Sequence, residues 1–299
     1  MRIRLELILI AALLLTTISC ASKSAADQMW MGDAAMKQGN WDQAITAYQK
    51  ALEINPSMPD VNQRLAMAYN NRAKSRIDNK DYKSALDDLN KAVNLNPRLG
   101  EAYNNRAWAY NGTGDYTAAI ADLNRALEFN YDPADVQKGL AMMYTNQGKA
   151  LVIKQLYDDA IQSLNQAVNL NPNLAEAYSN RGWALNRMRD WDQAITDLNR
   201  AIRLDPKLAF AYNNRGWAYY EKNLYDSSLP DLNKAIELDP KMTEAYMNRG
   251  ILYILTNMKE QAVADFKKVL ELTTDPEVVR NANKNISIAT EGSGYILER

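Results

Sequence analysis

Histidine is missing from all 299 residues. Its absence removes Ser-His-Asp and Cys-His nucleophilic catalysis, the commonest general base, and every imidazole-ligated metal site. Cysteine occurs once, as Cys20, which excludes an internal disulfide and a thiolate metal cluster. A surplus of one charge sign is also missing: 35 Lys and Arg stand against 36 Asp and Glu, a formal net charge of −1. Near-neutrality argues against nucleic acid as a partner, because phosphate binding needs a basic face. It also argues against a disordered chain, which carries high net charge. No Gly-rich phosphate loop or Ser-Lys dyad stands out. The expectation is a protein without catalytic residues, without a metal and without a cofactor.

Long apolar runs are scarce too. The run Leu7 to Leu15 is too short for an ordinary membrane-spanning helix, which needs about 20 apolar residues. Preceded by Arg2 and Arg4, it fits the core of a secretory signal peptide. The run leads into Thr17-Ile18-Ser19-Cys20, and this stretch resembles the lipobox of bacterial lipoproteins. The resemblance implies cleavage before Cys20 and acylation of its thiol. Stable anchoring takes two or more chains, at about 0.8 kcal/mol per buried methylene. Ala21, in place of an Asp, points to the periplasmic side of the outer membrane. Residues 1–19 are thus expected to be the signal peptide, and 20–24 the lipidated Cys and a tether.

What remains is repetitive. Tyr103-Asn-Asn-Arg-Ala-Trp-Ala, Tyr178-Ser-Asn-Arg-Gly-Trp-Ala and Tyr212-Asn-Asn-Arg-Gly-Trp-Ala are copies, and Pro172, Pro206 and Pro240 are spaced by 34. A fixed period of this length marks a repeat architecture. Seven copies begin at 25, 66, 100, 141, 175, 209 and 243. Position 8 of each is Gly or Ala, from Gly32 and Ala73 to Gly216 and Gly250. Position 20 is Ala, except Ser228, and position 27 is Ala, except Val269. A Gly inside a helix is about 1 kcal/mol worse than Ala, so a repeated one calls for close helix approach. The pattern resembles the tetratricopeptide repeat (TPR), a helix-turn-helix unit. The resemblance implies an all-α, right-handed α-solenoid of seven units over 25–276. Residues 277–299 should supply a capping helix and a tail, since an array must seal its last apolar face. Two spacings are 41 rather than 34, through residues 59–65 and 134–140. These should give two long first helices that protrude at one edge.

Two further patterns separate scaffold from recognition. Position 7 is Arg72, Arg106, Arg181, Arg215 and Arg249 in the same repeats that carry Asp88, Asp122, Asp197, Asp231 and Asp265 at position 23. Repeat 4 replaces both, with Gln147 and Ser163, and repeat 1 replaces both with Met31 and Ala47. Joint presence and absence predicts an Arg–Asp bridge between the two helices of one repeat. Position 6 is Asn71, Asn105, Asn146, Asn180, Asn214 and Asn248, with Trp30 in repeat 1. This series resembles the asparagine ladder of the O-GlcNAc transferase superhelix, which holds an extended peptide. An amide matches a peptide unit, offering donor and acceptor, and at about 0.5–1.5 kcal/mol per bond a grip needs several. Trp108, Trp183 and Trp217 at position 9 would act as anchors. The competing arrangement has these Trp packed on adjacent helices and the Asn bonded to each other.

The function these observations favour is a non-enzymatic scaffold in the bacterial cell envelope. It would bind extended peptide segments of other proteins in a concave Asn/Trp-lined groove, and attach to the membrane through Cys20. Envelope, pilus or secretion assembly and regulation of cell-wall enzymes are the settings such architecture implies. The alternative is a self-assembling homo-oligomer, stacked through the atypical repeat 1 with its Gln28, Met29, Met31 and Met36.

Overall fold

The computed structural model describes residues 24–291. The apolar leader, Cys20 and the tail from Gly292 lie outside them. The described residues hold helices and turns but no strand. Helix α1 covers 24–37. It is followed by α2 (Trp41–Ile54), α3 (Val61–Asp78), α4 (Tyr82–Leu95), α5 (Gly100–Thr113), α6 (Tyr116–Glu128), α7 (Pro133–Ile153) and α8 (Tyr157–Leu170). Then come α9 (Ala175–Arg187), α10 (Trp191–Leu204), α11 (Ala209–Glu221), α12 (Tyr225–Leu238), α13 (Thr243–Leu255), α14 (Lys259–Leu272) and α15 (Pro276–Glu291). The fold is an all-α helical-repeat solenoid. It divides into two compact units, Met1–Met143 and Tyr144–Arg299.

Local chemistry makes each helical hairpin. All seven first helices end on a residue with positive φ at position 15: Gly39, Lys80, Gly114, Gln155, Arg189, Asn223 and Asn257. In every case the next backbone N–H returns to the carbonyl of position 11, as from Asp81 to Arg76 at 2.9 Å and from Asp190 to Leu185 at 3.0 Å. This is a left-handed helix stop that satisfies orphaned carbonyls. The second turn is set differently. Asn55, Asn96, Asn171, Asp205 and Asp239 accept side-chain hydrogen bonds, at 2.9–3.2 Å, from the backbone N–H two residues on. The intervening proline then prevents the helix from continuing.

Packing explains the small residues. A Cβ on Gly182 would lie 2.7 Å from Leu198 Cγ, and one on Gly148 would lie 2.5 Å from Leu164 Cγ. Ala85, Ala119, Ala160, Ala194 and Ala262 at position 20 are wholly buried. Ser228 replaces Ala there and keeps its hydroxyl satisfied by donating to the Gly216 carbonyl at 2.7 Å. The lengthened helices do not protrude as free turns. Val61 and Val136 are fully buried, and Leu65 and Leu140 nearly so; Val61 and Leu65 join the main apolar cluster of the first unit. An Asp132 side-chain cap starts α7, accepting from the N–H groups of Ala134 and Asp135 at 3.0 and 3.3 Å. In the second unit, α15 lays Val278, Ala282, Ile286 and Ala289 on the cluster formed by Met247, Ile251, Phe266 and Val269.

The Arg–Asp pattern forms a forked bridge in all five repeats that carry it. Each Arg Nε and Nη2 meets the two carboxylate oxygens of the Asp sixteen residues on, at 2.6–2.8 Å. In repeat 4 a neutral pair takes the place: the Ser163 hydroxyl donates to Gln147 Oε1 at 3.1 Å. Two partners of the guanidinium were not foreseen. Nη1 of Arg106, Arg181, Arg215 and Arg249 donates to Asn90, Asn165, Asn199 and Asn233 of the preceding repeat, at 2.6–2.9 Å. A tyrosine ring at position 4 faces each guanidinium, 5.3–5.6 Å from its centre. The Asp hydrogen bond outweighs burial for Arg106, Arg181 and Arg249 and holds each above the usual arginine range. These aspartates are therefore scaffold, tied into the repeat rather than free for chemistry.

Candidate interaction clefts

Six of the nine residues expected to line a groove meet in two separate clefts, one within each unit. In the second unit, α9, α11, α13 and α15 enclose about 340 Å³. Trp183, Trp217, Asn214 and Asn248 all line it, together with Asn186, Phe210, Met247 and Val278. The walls are mainly apolar. Trp183 and Phe210 stack edge to face with ring centres 5.5 Å apart, and Trp217 lies 4.6 Å from Tyr220. Arg187 and Glu244 are exposed lining residues of opposite charge.

The first unit holds a cleft of about 400 Å³ with a different character. Asn105 and Trp108 line it beside Tyr82 and Tyr131, and Lys74, Asp78 and Asp135 add charge. Asn71, Asn146 and Asn180 are not among the residues lining either cleft. Three of the six rungs, Asn105, Asn214 and Asn248, thus line these two clefts.

Part of the series is committed within the scaffold. Asn105 Nδ2 donates to Asn70 Oδ1 at 2.8 Å, and Asn70 Nδ2 donates to Asn71 Oδ1 at 3.3 Å. Asn248 Nδ2 donates to Asn213 Oδ1 at 3.0 Å. Each lateral bond joins position 6 of one repeat to position 5 of the repeat before. Adjacent amides bond each other because neighbouring first helices pack closely, a geometry that sequence spacing along one helix does not reveal.

Two amide atoms in the second cleft are left over. Asn186 donates through Nδ2 to the Asn214 carbonyl at 2.8 Å, so its Oδ1 is the opposite end of a fixed amide. That Oδ1 and Asn214 Nδ2 are buried with no hydrogen-bond partner. Leaving such an atom unpaired costs about 1–3 kcal/mol. Native interiors hold few of them, and each calls for a physical reason. Phe210, Met247 and Asn186 are not among the residues that the sequence pattern singles out for the groove. Phe210 could have been found: repeats 3, 5 and 7 carry Glu at that position, as Glu101, Glu176 and Glu244.

Among the described residues no group of three or more carboxylates or thiols could hold a metal ion, and no helix is long and apolar enough to cross a membrane. A helical-repeat array presenting clefts of this kind is a protein-interaction scaffold. The chain belongs to the tetratricopeptide repeat family. Models described as TPR repeat match residues 32–71 and 148–188; models described as tetratricopeptide repeat match 70–135, 175–208, 209–242 and 243–276. Members of this family are generally non-enzymatic interaction modules. No curated protein sequence matches the chain. Among solved structures, it is similar to PilF of Pseudomonas aeruginosa at 16% identity and a TM-score of 0.56, over 75% of this chain and 98% of that one. The Cut9–Hcn1 hetero-tetramer of the APC/C aligns at 16% identity and a TM-score of 0.56, over 88% of this chain and 55% of that one. Both likenesses show the fold. YrrB, a TPR protein with an unusual peptide-binding site, is 27% identical over 67% of this chain and 95% of its own, with a TM-score of 0.47.

Proposed function

We propose that this protein is a non-enzymatic scaffold anchored in the bacterial cell envelope that binds extended segments of partner proteins in its Asn- and Trp-lined clefts. The observation that carries the reading is the meeting of Trp183, Trp217, Asn214 and Asn248 in one cleft. Large aromatic side chains beside amides suit a peptide ligand, whose backbone is polar and whose side chains seek apolar contact. The Thr17–Cys20 stretch supports attachment through acyl chains on Cys20, at the periplasmic side of the outer membrane. Partners in envelope, pilus or secretion assembly, or enzymes that act on the cell wall, fit that location.

The test compares the full chain with an Asn214→Ala/Asn248→Ala variant as bait in detergent-solubilised envelopes, after circular dichroism has matched their folds. A partner recovered by the parent and lost by the variant is the expected result. A partner held equally by both would sink the cleft reading. Cys20→Ala should move the protein from the membrane fraction to the soluble periplasm; unchanged membrane retention would exclude the lipid anchor. One observation favours a second reading, self-assembly through repeat 1. Trp30 is 71% exposed and Met31 52% exposed on α1. Light scattering of the detergent-purified chain separates a monomer from an oligomer that Trp30→Ser disperses.

A further inference from the structure

The two clefts differ in chemistry. Charged side chains line the first-unit cleft, at Lys74, Asp78 and Asp135. In the second unit Trp183, Phe210, Trp217, Met247 and Val278 form most of the wall, with Arg187 and Glu244 as its exposed charged residues. Asn186 and Asn214 also line that cleft, each with one buried, unpartnered amide atom, an acceptor and a donor respectively, on residues 7% and 6% exposed.

We infer that the second-unit cleft is a selective pocket for one aromatic or large aliphatic side chain on an extended partner segment, whose backbone supplies the partners that Asn186 Oδ1 and Asn214 Nδ2 lack. The inference rests on the peptide-binding reading above and narrows it to one pocket and one ligand chemistry. Three features support it. The volume, about 340 Å³, admits a single bulky side chain with its flanking backbone. The orphaned atoms are of opposite sense, as are the N–H and C=O of a peptide unit. An apolar pocket with a few convergent polar groups is the usual form of a specific site, the apolar surface holding a side chain and the polar groups fixing orientation. Terminal amide torsions have broad wells, and both residues line the cleft, so on binding a turn of each amide would exchange a buried, unpaired atom for one bonded to the partner, at Asn186 in place of its bond to the Asn214 carbonyl. Val278 belongs to α15, so the helix that seals the array is also part of the pocket.

Peptides selected from a random phage-displayed library on the full, detergent-purified chain test this. The parent should enrich sequences sharing one aromatic or large aliphatic residue. Phe210→Glu places in repeat 6 the residue that repeats 3, 5 and 7 carry at that position, so it should fold and yet bind the selected peptides roughly tenfold more weakly. Asn214→Leu removes the orphaned donor. It should keep or raise Tm while weakening binding several-fold, a combination that a merely structural amide would not give. Enriched peptides without a shared bulky residue, or full binding by Phe210→Glu, would overturn the pocket and leave the broader groove reading standing. Unchanged binding by Asn214→Leu would overturn the role of its amide. No enrichment of any peptide would overturn both readings.

Discussion

Arg181 and Asp197 illustrate what a single pair does in this array. The guanidinium side chain is 21% exposed and the carboxylate 10%, so the bridge lies between a solvated surface pair and a buried one. Exposed pairs contribute little, whereas breaking a buried pair strands a desolvated charge. Asp197→Ser should therefore cost roughly 2–3 kcal/mol. The Arg181→Gln/Asp197→Ser double variant installs the neutral pair found in repeat 4 and should lose less than the single change. Urea denaturation of the parent, Asp197→Ser, Arg181→Gln and the double variant measures this, and simple additivity of the two single losses would refute the pairing. The fork also reaches Asn165 at 2.7 Å, so an Arg181 variant loosens two repeats and an Asp197 variant one. At position 15, Arg189 holds φ at 63°. A side chain in that region costs about 1–2 kcal/mol that glycine avoids. Arg189→Gly should raise stability by about 0.5–1 kcal/mol, readable as a higher Tm.

At the scale of the helix, the starts of the second helices differ in kind. Asp81, Asp115 and Asp190 accept from the N–H three residues on, at 3.3, 3.1 and 3.3 Å. Leu156, Leu224 and Met258 occupy the same place in α8, α12 and α14 and make no such bond. Leu224 is 46% exposed, so packing returns little for the lost cap. Leu224→Asp should stabilise α12 by about 1 kcal/mol, the usual value of a side-chain cap; thermal unfolding reads it. The cap has a pH signature in repeat 2. Hydrogen bonds from the Ser84 side chain and then its backbone N–H hold the Asp81 carboxyl below the usual carboxylate range. A depressed folded value means that the contribution is present above the unfolded carboxylate pKa and lost as pH falls through the folded one. Asp81→Asn should make stability less dependent on pH across that acidic window, measured as the slope of Tm against pH.

The molecule as a whole depends on its ends, because each repeat covers the apolar face of the next. In the second unit α15 covers Phe266, Val269 and Ile251, all nearly or fully buried. Ending the chain at Asp275 uncovers that cluster. The expected result is a lower Tm and concentration-dependent light scattering, with the second unit's cleft losing its Val278 wall. A truncated protein that stays monomeric at the parent's Tm would show that the cluster is closed without α15. The opposite end is different in kind: Trp30 and Met31 are left exposed on α1, which is the surface that the self-assembly reading uses.

Several features were legible in the residues alone because they are local and recur. Small residues at positions 8, 20 and 27 announced close hairpins, and joint loss of Arg and Asp in repeats 1 and 4 announced their pairing. The Asn recurrence at 90, 165, 199 and 233 was equally visible but went unread, since nothing in one repeat says that its partner lies in the next. The left-handed stop was hidden for another reason. Gly39 and Gly114, and more weakly Asn223 and Asn257, advertise it, while Lys80, Gln155 and Arg189 are forced into it by the backbone bonds that close the turn. The period, the helix faces and the intrarepeat contacts follow from the order of residues alone, because a fixed spacing in a 3.6-residue helix sets which side chains share a face. Which amides bond to each other depends on how successive helices pack. Close packing of successive first helices turns Asn105 and Asn248 onto their neighbours and leaves Asn186 and Asn214 each with an unpaired atom beside the apolar cleft.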